Sequence, residues 1–187
     1  GAVIYYTTDG SWPSASIGRL YTHPLVIDRT TVLRAVDFSG DIPGKVVTAS
    51  YLFPQNIIRQ PHNPAGYPAY WGKYTAIAGT SFADYEMDPE IVNHPDYKDL
   101  VIPALLSLPT VSIATNRGYL FSQVADPDTG GIYIFTGANG GVGDNWERPV
   151  SVELIIPGSP EGFQVDCGLQ IQGGAGRLPE KNPKHSF

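Results

Sequence analysis

The residue types best suited to chemistry in this 187-residue chain lie near its C-terminal end, where Gly173-Gly174-Ala175-Gly176-Arg177 is followed by Lys184. Glycine lets backbone N–H groups come close to an anion, and a lysine adds a compact, mobile charge for phosphate oxygens. A hairpin carrying both is one way to fold over a nucleotide phosphate. The commoner use of such a run is a plain turn, and no helix pattern follows it, so neither a Walker A loop nor a dinucleotide-binding turn fits. Other candidates are weaker. His23, His62, His94 and His185 are too widely spread for a close-spaced ligand pair, so no metal site is expected, and there is no G-x-S-x-G. Asp126-Pro127-Asp128 starts like a calcium loop, but the twelfth position is Gly137 rather than a glutamate, which leaves a turn. Asp84, Glu86, Asp88, Glu90, Asp96 and Asp99 read as a solvated acidic face.

Two strands must carry the glycine run. Val150 to Ile156 alternates apolar and polar residues, Pro157 to Gly162 is a turn, and Phe163 to Gln172 sets Phe163, Val165, Cys167, Leu169 and Ile171 on one face. Cys167, the only cysteine, is thus expected to be a buried small hydrophobe rather than a nucleophile, and no internal disulfide can form. Upstream, Ala2–Thr8, Gly18–Tyr21, Leu25–Asp28, Thr30–Phe38 and Lys45–Phe53 read as short strands, with Asp9-Gly10 as a turn, a spacing that suits a sandwich. Residues 54–83 interleave prolines and glycines and read as a linker. The density of Tyr67, Tyr70, Trp71 and Tyr74 points to a docked connector, with a carbohydrate-facing strip as the sharper alternative. Asp88 should cap a helix that starts at Pro89, and Asp96 a second one through Leu106 that Pro103 kinks or shortens. Leu108–Thr115 and Ile132–Phe135 read as strands.

Composition narrows the function classes. A net charge of −6 with no basic stripe argues against nucleic acid. No stretch reaches the roughly 18 apolar residues of a membrane span, and no basic, apolar start reads as a signal peptide. The 21 glycines and 17 prolines imply many turns and little helix.

The words W-E-R-P-V-S-V-E-L from Trp146, G-L-Q-I-Q-G-G-A-G-R from Gly168 and P-K-H-S-F from Pro183 closely resemble the opening of the spore-coat CotH-like family of atypical protein kinases, especially its large secreted bacterial forms. The resemblance covers residues 84–187 and is most specific from Trp146 onward. It implies a divergent kinase fold that binds ATP with a divalent metal, phosphorylates surface or extracellular proteins, and is secreted or at the cell surface. Gly173, Gly174, Gly176 and Arg177 would then form the phosphate-facing loop, and Lys184 would hold the phosphates. The family's acidic residues for proton transfer and metal binding fall beyond Phe187. There is no H-R-D-x-x-x-x-N, and the nearest approach to D-F-G is Asp37-Phe38-Ser39-Gly40 in a different module, so this stretch alone is expected to be inactive and C-terminally truncated.

The words I-Y-Y-T-T-D-G-S-W-P-S, T-T-V-L-R-A-V-D-F and V-T-A-S-Y-L-F resemble the chitobiase and β-hexosaminidase C-terminal immunoglobulin-like module, an accessory unit in that family. Its first strand or two are missing before Gly1, so truncation is expected there too. The fold expected is mostly β (α+β): a partial immunoglobulin-like β-sandwich over 1–53, a linker over 54–83, and the β-rich start of a kinase-like domain over 84–187. Partners would be a protein substrate or a cell-surface polysaccharide. The second reading is a non-catalytic surface or polysaccharide-binding protein. Trp12, Tyr21 and Tyr6 are its possible sugar platforms, although packing is the commoner use of such aromatics.

Overall fold

β-Branched and aromatic residues crowd the first fifty positions, and there the chain forms β1 (Val3–Thr7), β2 (Arg19–Leu20), β3 (Thr31–Ser39), β4 (Ile42–Pro43) and β5 (Val47–Tyr51). The computed structural model describes residues 2–73, 80–124, 126, 128–135 and 146–172. Among the described residues strand outweighs helix, 32% against 16%, and the fold is mostly β. It divides into two units: one holds Gly1–Arg59, Met87–Asn116 and Ser151–Asp166, the other Gln60–Glu86, Arg117–Val150 and Cys167–Phe187.

In the first unit β3 is the central strand of an antiparallel sheet. β1 pairs along one edge (Tyr5 opposite Val36) and β2 pairs beyond it. β5 pairs with β3 through Leu33 and Ala49, and β4 through Phe38 and Pro43. Leu25–Asp28, expected as a strand, is not one, while the short β4 lies in the segment between the expected strands Thr30–Phe38 and Lys45–Phe53. A second sheet orders β8 (Thr110–Ala114), β9 (Arg148–Ile155) and β10 (Gly162–Leu169) with β9 in the middle, Ser112 standing opposite Glu153.

The two sheets of this unit meet through polar side chains. Ser50 Oγ lies 2.6 Å from Ser112 Oγ and donates to Glu153 Oε2 at 2.5 Å, while Ser50 N–H donates to Glu153 Oε1 at 3.2 Å. Arg34 is 1% exposed beneath the Trp12 ring, 4.5 Å from its centroid, and donates to the Gly10 carbonyl at 3.1 Å. Burial pulls the Arg34 pKa down, and the charge of Asp166 opposes that shift. Trp12 N–H in turn donates to Asn116 Oδ1 at 2.7 Å.

This polar interior reverses the expected facing of β10. Gln164 Nε2 donates to Ser151 Oγ at 2.7 Å and to Asp166 Oδ1 at 2.9 Å, and Ser151 is fully buried. Phe163 and Val165 are 55% and 46% exposed. Cys167 is exposed as well, not buried, because it follows their side of the strand. Only the end of the run behaves as expected, with Leu169 and Ile171 buried.

Helices are short. α1 (Pro54–Ile57) is followed in the chain by α2 (Pro89–Val92), which starts as expected, with the Asp88 side chain accepting from Glu90 N–H at 2.9 Å. The helix expected from Asp96 begins later: α3 is Val101–Ser107, and Asp96 N–H donates instead to His94 Nδ1 at 3.2 Å. Pro103 sits in its first turn, where no N–H is needed.

In the second unit β6 (Tyr70–Lys73) and β7 (Thr80–Phe82) make an antiparallel pair, so the Pro/Gly-rich stretch carries more regular structure than its composition suggests. α4 (Arg117–Phe121) packs with α5 (Ile132–Phe135), which replaces the strand expected at that place. Ile132 is fully buried there and Tyr133 packs its ring 5.6 Å from Phe121, so packing overrides β propensity. Among the described residues no helix is long and apolar enough to cross a membrane.

Candidate functional site

The strand that leads to the glycine run is held at its exit. Leu169 and Ile171 are buried, and Gln170 Nε2 donates to Glu147 Oε2 at 3.2 Å. A side chain at Gly168 would meet the Glu147 carboxyl group, which would have to swing aside. The run itself, Gly173, Gly174, Gly176 and Arg177, lies outside the described residues, as does Lys184.

Arg148, in the W-E-R-P word, is 3% exposed and donates to the carbonyls of Glu147 (2.9 Å) and Gly130 (2.7 Å), with Trp146 5.8 Å from the guanidinium. Burial pulls its pKa down, while Asp128, Tyr119 and Asp126 oppose that. A buried arginine tied to two carbonyls holds its loop in place, which is a packing role for part of the motif.

A histidine and two acids from a later segment of the chain converge in the second unit. His62 Nδ1 stands 3.3 Å from Glu86 Oε1 and 3.8 Å from Asp84 Oδ1. The three ligand atoms all lie within 4.8 Å of one another, each side chain half-buried. Histidine spacing alone conceals this group, since its carboxylates come from the supposed solvated face. The available signal is the Asp84-x-Glu86 pattern, but nothing local in the sequence pairs it with His62.

Aromatic rings gather in the same unit. Tyr67, Tyr85 and Phe121 lie edge to face with centroids 5.5 to 6.1 Å apart, and Arg117 sits over Tyr67 at 5.1 Å. Tyr70 and Phe82 stand 5.0 Å apart and are 46% and 65% exposed. In the first unit Trp12 covers Arg34 and Tyr6 packs on Tyr21 at 6.4 Å, which gives these three rings packing roles. An open depression of about 400 Å³ lined by Asp28, Arg29, Thr30 and Asn56 holds an exposed Asp28–Arg29 ion pair (2.9 Å) that neutralises itself.

A family model described as Fn3 associated matches residues 1–51, so that stretch is similar to an immunoglobulin- or fibronectin-like associated module. No curated protein and no solved structure matches the chain.

Proposed function

We propose that residues 84–187 are the front of a CotH-like, ATP-dependent protein kinase of the secreted or cell-surface kind, with the N-terminal module as its accessory. The observation that carries this reading is the ordered set of words from Trp146 to Phe187. Supporting it, β9 and β10 are neighbouring strands, and Leu169 and Ile171, which precede the glycine run in the chain, are buried. In this reading the N–H groups of Gly173, Gly174 and Gly176 meet nucleotide phosphates, and Arg177 and Lys184 balance their charge. A divalent metal would accompany ATP in this reading. The test follows the thermal melting of the chain. ATP with Mg²⁺ should raise its melting temperature, and Lys184→Ala should remove the rise. No rise in the parent, or an equal rise in the variant, defeats the proposal.

The exposed Tyr70–Phe82 pair favours a second reading, a non-catalytic polysaccharide-binding surface, since flat exposed rings suit sugar faces. Retention on an insoluble polysaccharide that survives Tyr70→Ala with Phe82→Ala counts against it.

A further inference from the structure

The stretch around Tyr85 is tied down on several sides. Tyr85 Oη donates to the Pro68 carbonyl at 2.9 Å, and its ring packs on Tyr67 and Phe121. Gln60 Nε2 donates to the Tyr85 carbonyl at 2.6 Å, and Ala83 N–H donates to the Ala69 carbonyl at 3.0 Å. These contacts hold the segment that carries Asp84 and Glu86 beside the loop that carries His62. With Tyr85 committed to the aromatic cluster, its two neighbours both reach the imidazole.

The resulting donor set is one imidazole nitrogen and two carboxylates. A dication held at roughly 2.0–2.2 Å from each donor separates tetrahedral ligand atoms by about 3.3–3.6 Å. His62 Nδ1 already stands 3.3 Å from one carboxylate oxygen and 3.8 Å from the other. The side chains are between 32% and 44% exposed, so an ion can enter and water can complete its shell. An imidazole favours zinc or a similar transition dication over calcium or magnesium, which prefer oxygen alone. The competing arrangement is a protonated His62 in a plain ion pair with both acids.

We propose that His62, Asp84 and Glu86 form a binding site for a divalent transition-metal ion of the zinc class, which clips the His62 loop to the Asp84–Glu86 segment. The proposal stands independently of the kinase reading. Metal and proton compete for the Nδ1 lone pair, so binding weakens in acid.

The experiment titrates the 187-residue chain with Zn²⁺ by calorimetry and follows its melting temperature. One equivalent should bind and raise the melting temperature. Glu86→Gln and Asp84→Asn should each weaken binding by about tenfold or more, His62→Ala should abolish it, and His94→Ala should leave it unchanged. Glu86→Gln keeps the side-chain shape, so it carries the decision if His62→Ala does not fold. Absence of binding in the parent chain leaves an ion pair only and overturns the proposal. Binding that the Asp84, Glu86 and His62 variants all retain puts the metal elsewhere and overturns it equally.

Discussion

At the scale of single residues, the acidic side chains separate into those bound to their own backbone and those that reach across the fold. Asp126 belongs to the first kind. Its Oδ1 accepts from the N–H groups of Asp128 and Thr129, both at 2.9 Å, and from Thr129 Oγ at 3.0 Å. The Thr129 hydroxyl first, and then the two N–H groups, hold the carboxyl below its ordinary value of 3.8. Because the folded value is the lower one, the stabilisation is complete above the unfolded value. It is lost as pH falls through the folded one. An NMR titration of the Asp126 carboxyl should give a midpoint below 3.8, moved upward by Thr129→Val; a midpoint indifferent to that substitution contradicts the cause named here. Asp9 accepts from Ser11 N–H and Oγ at 3.1 and 2.6 Å, and Asp88 at its helix cap accepts from Glu90 N–H at 2.9 Å. All three roles were legible because each needs only partners two or three places along. The His62 cluster was not, because it depends on Gln60 and Tyr85 meeting 25 positions apart.

At the scale of elements, turn chemistry was the most legible feature. The β9–β10 hairpin closes with Ser159 N–H donating to the Ile156 carbonyl at 3.1 Å and Gly158 at φ +73°, the place where Pro-Gly order asks for glycine. No heavy atom lies within 4 Å of where a side chain would start. Substitution there therefore costs backbone strain alone. Gly158→Ala should lower stability by about 1 kcal/mol in urea unfolding, and Gly158→Asn by less, since asparagine tolerates this region. Equal losses for the two would mean that something other than φ sets the cost. Alternation likewise predicts where β1, β3, β5, β8, β9 and β10 lie, but not which way β10 faces. A run of apolar residues at period two implies an apolar neighbour. Here the buried layer offers Arg34, Ser151 and Glu153, so Gln164 turns inward and Phe163 outward. Ile132 to Tyr133 fails for a related reason: its β-branched start suits a strand, yet burial against Phe121 settles it as a helical turn.

At the scale of the molecule, the match over residues 1–51 covers one sheet of the first unit, and the sheet that faces it arrives much later in the chain. Ser50 reaches Ser112 and Glu153, which are 62 and 103 positions away, and no local pattern announces such pairings. Without β8, β9 and β10, the inner side of the first sheet would expose Val36 and Thr48, now 2% and 5% exposed, and would leave Arg34 without the opposing charge of Asp166. A single sheet with one uncovered face seldom holds together in water. Residues 1–59 by themselves should therefore show no cooperative thermal transition by circular dichroism, whereas the 187-residue chain should. In the full chain, Ser50→Ala should cost about 1–3 kcal/mol, because the buried Glu153 carboxylate loses its hydroxyl donor without gaining water. A sigmoidal melt of residues 1–59 at the temperature of the full chain, together with an indifferent Ser50→Ala, would mean that the first sheet folds on its own and the later strands merely rest against it.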